Sequence, residues 1–137
     1  MRLKRQRARF AALIQHIPAF ADPAAPVGAW HQPEAEPGCF SAVSFLLNAN
    51  AERFVEDCYA HGWVLERFDW AAWAQTEVAR RLRVQPGALA SASEHQLAQL
   101  LTVVIRQDRF VEGALAAAFA SRLILGVLRR AEQLDRE

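Results

Sequence analysis

Leu97, Leu100, Leu101, Val104 and Ile105 recur at i, i+3, i+4, i+7 and i+8, a spacing that an α-helix turns into one continuous apolar face. Ser91-x-x-Glu94 and Ser93-x-x-Gln96 stand just ahead of it, and both match the capping box that starts a helix. Leu123, Ile124, Val127, Leu128 and Leu134 form a second stripe, with Arg129, Arg130 and Asp135 outside it. Between the two stripes, Asp108 is expected to cap a helix beginning at Arg109. Phe110, Ala114, Leu115, Ala118 and Phe119 would line its inner face, and the alanines 116–118 would let neighbouring helices approach closely. Such faces must be buried against each other. The expected fold is all-α: a single compact domain of five or six helices, the last three packed as an antiparallel layer, with a proline-rich N-terminal loop.

Upstream, Phe54, Val55, Cys58 and Tyr59 share one face of a helix over 51–61, with Asn48 or Asn50 as its N-cap and Gly62 as a left-handed C-cap residue. The next helix takes Asp69 as N-cap, buries Trp70, Trp73, Val78 and Leu82, pairs Glu77 with Arg80 or Arg81, and ends at Pro86-Gly87. Residues 2–16 place Leu3, Phe10, Leu13 and Ile14 near helical spacing, with Ile17 following, and Pro18 is expected to stop that helix. Pro23, Pro26, Pro33 and Pro37 then mark a long loop, which Phe20, Val27 and Trp30 would pin to the core. Residues 40–47 approach the next helix irregularly, with room for a short strand. The division is therefore a basic helix over 1–17, a proline-rich segment over 18–47 and a helical core over 48–137.

At 137 residues, 53% of them apolar and 23% charged, the chain can bury a core of its own. A net charge of +1 gives no global pull toward nucleic acid or an anionic membrane. Arg2, Lys4, Arg5, Arg7 and Arg9 are a local excess, and binding phosphates through them would be steeply salt-dependent. No interleaved aromatics accompany them, which favours a solvated or partner-facing helix over a nucleic-acid contact. No apolar run is long enough for a membrane span or a signal peptide. Cys39 and Cys58 have no zinc spacing, and free thiols suit a reducing, cytoplasmic setting. Cys58 reads as packing, and Cys39 as a surface thiol. His16, His31, His61 and His95 share no motif, and only His31, near Glu34 and Glu36, resembles a metal ligand. No phosphate loop, dinucleotide fingerprint, nucleophile elbow or zinc-protease string occurs, so neither metal nor cofactor is expected.

Two strings carry the chemistry: Phe68-Asp69-Trp70-x-x-Trp73 and Leu101-Thr102-x-x-Ile105-Arg106-x-Asp108-Arg109-Phe110-x-Glu112-Gly113. Arg106, Asp108, Arg109 and Glu112 lie close to residues that must face the core, where an unpaired charge is expensive. Either they lock two helices, Arg106 bridging to Asp108 or Asp69, or they await a ligand. In the second case Arg106 and Arg109 fork a phosphate or carboxylate, while Asp69, Asp108 or Glu112 handles protons. Trp70 and Trp73 are then a stacking wall; otherwise they are core.

Together with Gly62-Trp63 and Leu123-Ile124-Leu125-x-x-Leu128, these strings resemble an uncharacterised bacterial family of small helical proteins over residues 52–134. The resemblance implies an all-α fold and a shared site, and it supplies no reaction. Arg122 departs from it, standing where the resemblance implies a glycine between the last two helices, which would make that junction tighter or continuous. The leading functional reading is a binding module for a protein or small ligand, alone or self-associated, using the proline-rich loop and an exposed helix face. A small enzyme for an anionic substrate at Arg106 and Arg109 is the alternative, and a nucleic-acid-associated protein the third.

Overall fold

The computed structural model describes residues 4–34, 36–39, 42–85 and 87–137. Its elements run α1 (Lys4–Ile14), α2 (Ile17–Phe20), β1 (Gly28–His31), β2 (Ser44–Leu47), α3 (Ala49–Ala60), α4 (Trp70–Ala74), α5 (Glu77–Val84), a 3-10 turn (Ala88–Ser91), α6 (Glu94–Gln107), α7 (Ala114–Ala120) and α8 (Leu123–Arg136). The fold is mostly helical, with one two-stranded antiparallel sheet. Helix α6 is its centre. Ser93 and Gln96 close the expected capping box, and from Leu97 to Ile105 every residue except Gln99 is buried. Helices α4, α7 and α8 pack on α6, and α1 packs on both α3 and α8. No helix among the described residues is long and apolar enough to cross a membrane.

The junction of α1, α3 and α6 is held by Arg9. Its Nη2 donates to Gly62 O at 2.7 Å and its Nε to His61 O at 3.1 Å, engaging the open carbonyls at the end of α3. Its Nη1 donates to Glu94 Oε1 at 2.6 Å, and its guanidinium carbon lies 4.0 Å from the centre of the fully buried Trp63 ring. Trp63 Nε1 donates back to Arg9 O at 2.8 Å. Beneath it, the buried Thr102 hydroxyl accepts Leu65 N–H at 2.9 Å and donates to Ala98 O at 2.7 Å. One member of the basic N-terminal cluster is therefore a staple, while Lys4, Arg5 and Arg7 are exposed. Arg2 lies outside the described residues.

Several expected boundaries move. Asn48 caps α3 through Ala51 N–H, Asp69 caps α4 through Ala72 N–H, and Gly62 adopts a left-handed φ of +74°. Pro18, however, sits in the first turn of α2, where a missing N–H removes no helical bond. The helix begun at Asp69 stops after five residues, and Thr76 caps a new one by accepting Ala79 N–H at 3.2 Å. Val78 is exposed as a result, and Glu77 forms no ion pair with Arg80 or Arg81. Pro86 is outside the described residues. Ser91 lies in the 3-10 turn and donates to Ala88 O, so the Ser91-x-x-Glu94 string is not a capping box.

Three corrections bear on the site. The proline-rich segment is not simply a loop, because β1 pairs with β2 in the register Gly28↔Leu47 to His31↔Ser44. The second-last helix, expected from Arg109, begins instead at Ala114, which turns Phe110 outward to 77% exposure. The α7–α8 junction is not continuous: Arg122 itself adopts the left-handed conformation, at φ +68°.

Arg9→Ala removes three charge-assisted hydrogen bonds and leaves carbonyls open at the end of α3, so the expected loss is about 2 kcal/mol. Arg7→Ala, on the exposed side of α1, is expected to stay within about 0.5 kcal/mol. Urea denaturation midpoints of the two variants separate these outcomes.

Candidate functional site

The corner between α6 and α7 is built by its acids. After Gln107 the chain turns, with Phe110 N–H and Val111 N–H both donating to Gln107 O. Asp108 Oδ1 accepts Leu115 N–H at 3.0 Å, so it caps α7 across the whole turn rather than from the adjoining position. Glu112 Oε1 accepts Phe45 N–H at 2.7 Å and thereby ties β2 to the corner. Asp69 caps α4, as above. The arginines are left without acids. Arg109 donates to Tyr59 Oη at 3.2 Å. Arg106 is half-buried and reaches neither Asp108 nor Asp69, and its buried Nε has no hydrogen-bond partner among the described residues. The expected bridge is absent because backbone amides engage the carboxylates.

The two tryptophans divide. Trp73 packs against the core cluster and on Phe68, with ring centroids 6.0 Å apart. Trp70 stacks on the exposed Phe110, at 6.0 Å and 30° between planes.

On the far side of Gly113 the structure opens. Gly113 has φ +86°, and a Cβ there would lie 2.7 Å from Trp30 Cη2, so the indole rests directly on the glycine. Trp30 in turn meets Phe45 edge to face, at 5.3 Å and 81°. The hairpin, the segment 22–27 and α7 enclose a cleft of about 500 Å³. Its walls are aromatic (Phe20, Trp30, Phe45, Phe119), with Ala116 and Ala117 as a recessed floor. Phe20 and Phe119 join at 4.8 Å and both abut the buried Phe54. Asp22 and Arg122 are the ionisable side chains that line it; Arg106, Asp108, Arg109, Glu112, Trp70 and Trp73 do not. The alanine run expected to admit a neighbouring helix mostly makes room for this cleft, only Ala118 being buried.

Sequence reasoning missed the cleft because two of its walls come from the hairpin, whose strands show no strong alternation. The small side chains of α7 were the available signal. It also passed over His16, which is buried, stacked against Phe20 and edge-on to Phe54, with Nε2 2.6 Å from Asp57 Oδ2. Gln15 Nε2 donates to the same oxygen at 2.8 Å. Burial, with the Asp57 charge adding to it, pushes the Cys58 thiol far above its ordinary range, so Cys58 acts as a small apolar filler. Cys39 is exposed. No group of three or more His, Cys, Asp or Glu among the described residues is placed to hold a metal, His31 with Glu34 and Glu36 included.

No curated protein and no solved structure matches the chain. A family model does match, over residues 5–137, and its description is a family of unknown function (DUF6508).

Glu112→Ala frees the Phe45 amide, and its hydrogen exchange is expected to accelerate while global stability falls by about 1–3 kcal/mol. An unchanged Phe45 exchange rate means that the tie is not made in solution. Arg106→Met keeps the apolar stem and removes an unsatisfied buried N–H, so its melting temperature is expected to stay level or rise. A loss above about 1 kcal/mol in that variant shows instead that the guanidinium holds the corner.

Proposed function

For a chain that belongs to DUF6508, a family of unknown function, we propose a binding role: the cleft between the hairpin and α7 takes one small, flat, largely apolar ligand. The cleft itself carries this reading. Its volume of about 500 Å³ lies within the range of small-molecule sites. Four aromatic rings on its walls suit a planar guest, and apolar area removed from water contributes about 25 cal/mol per Å². Trp30 stands 57% exposed over Gly113, an unfavourable place for an indole until something covers it.

The walls are pre-organised. Pro23 and Pro26 fix φ along one side, so less chain freedom is lost on binding. Asp108 holds the start of α7 and Glu112 holds β2, which sets the distance between the opposing walls. On this reading the corner acids position the site and do not touch the ligand. The described lining holds no His, Cys or Ser, which favours binding over chemistry. The free thiols of Cys39 and Cys58 suit a reducing, cytoplasmic setting.

Ala117→Phe tests it. Ala117 is exposed on α7 and lines the cleft, so the ring fills the site while stability changes by about 0.5 kcal/mol or less. Calorimetric titration with naphthalenemethanol, a neutral flat probe, is expected to show binding to the unsubstituted chain and a loss of about tenfold or more in the variant. Equal affinities in the two proteins place the probe elsewhere and end the proposal.

A further inference from the structure

We infer that Arg122 sets the specificity of the cleft, and that the natural ligand carries a carboxylate-type anion on its flat apolar body; this rests on the cleft being the binding site.

The argument starts from the backbone. Between α7 and α8 the chain needs a left-handed residue, and it adopts φ +68° at position 122. An L side chain is disfavoured there: glycine takes the left-handed positions at 38, 62, 87 and 113, and among the described residues Arg67, at φ +51°, is the other non-glycine residue with positive φ. Position 122 is also the N-cap of α8, where serine, threonine, asparagine, aspartate or glycine serves best. Arginine supplies no cap: Leu123 N–H donates instead to Ser121 Oγ, at a long 3.4 Å. Neither local geometry nor capping accounts for the residue.

Internal contacts do not account for it either. Arg9, Arg53, Arg83 and Arg130 all donate to carbonyls or side chains of the fold. The Arg122 guanidinium forms no hydrogen bond or ion pair with another described residue, yet its side chain lines the cleft. The other charge on the lining, Asp22, accepts Ala24 N–H at 2.9 Å and closes its own turn. Arg67 shares the positive φ and lies away from the cleft; what sets Arg122 apart is its place at the rim of an apolar cleft with no polar contact inside the protein, and that placement points to what enters the cleft. A guanidinium presents a rigid fork of donors that matches a carboxylate, and the partly enclosed apolar surroundings strengthen the pair relative to open water.

The test compares naphthoate with naphthalenemethanol, equal in shape and different in charge, by calorimetric titration of the full chain. The unsubstituted protein is expected to prefer naphthoate by about tenfold or more, the preference shrinking as salt rises. Arg122→Gly relieves the backbone and so is expected to melt no lower than the parent. It should lose the preference for the acid, read as the ratio of the two affinities, and Arg122→Lys should retain part of it. Equal binding of both probes by the unsubstituted chain overturns this inference and leaves the cleft reading standing, as does a preference that survives in Arg122→Gly. Binding of neither probe removes both.

Discussion

A single carboxylate-to-amide bond joins the part of this molecule that the helices do not organise. Glu112 reaches Phe45 N–H across 67 residues of sequence. Hydrogen bonds to a charged acceptor contribute about 1.5–3 kcal/mol. A lone two-stranded hairpin is marginal in water. The pair β1–β2 therefore depends on being tied to the α6–α7 corner and on seating Trp30 against Gly113. With the hairpin fixed, the segment 22–27 before it forms a wall of the cleft opposite α7.

The junction at the end of α3 uses the same chemistry with the signs reversed. At the end of α3 the unmet groups are carbonyls, and a cation, Arg9, satisfies them while covering Trp63. At the start of α7 and along β2 the unmet groups are amides, and anions satisfy them. In both places an ionised side chain satisfies backbone groups that have no partner within their own element. Of these, the Arg9–Glu94 contact is also an ion pair.

What was legible in the sequence follows from that. Stripes and local caps are short-range, so α6, α8 and the caps at Asn48, Asp69 and Ser93 could be read directly. In the sequence the charges of the 106–112 string offer themselves as partners for one another or as a ligand site, since sequence shows ions and hides the amides that compete for them. A cap at Asp108 for the adjoining residue would start α7 five positions early and turn Phe110 inward. The strand at Gly28–His31 lacked a visible partner, because its register with Ser44–Leu47 is a tertiary fact. A cleft assembled from a glycine, alanines, prolines and four distant aromatic rings leaves little local signature. Arg122 stands out in the sequence by its residue type, but its handedness only the fold reveals.

The packing of α1 against α8 has a consequence for the order of assembly. Phe10 and Leu13 near the beginning share one core with Ile124, Val127 and Leu128 near the end. Intermediate stretches can form helical turns as they emerge during synthesis, but that shared interior stays open to water until α8 is available. Completion of the core is thus a late, concerted event, and a chain halted before Leu123 would present a broad greasy face to whatever holds nascent polypeptides.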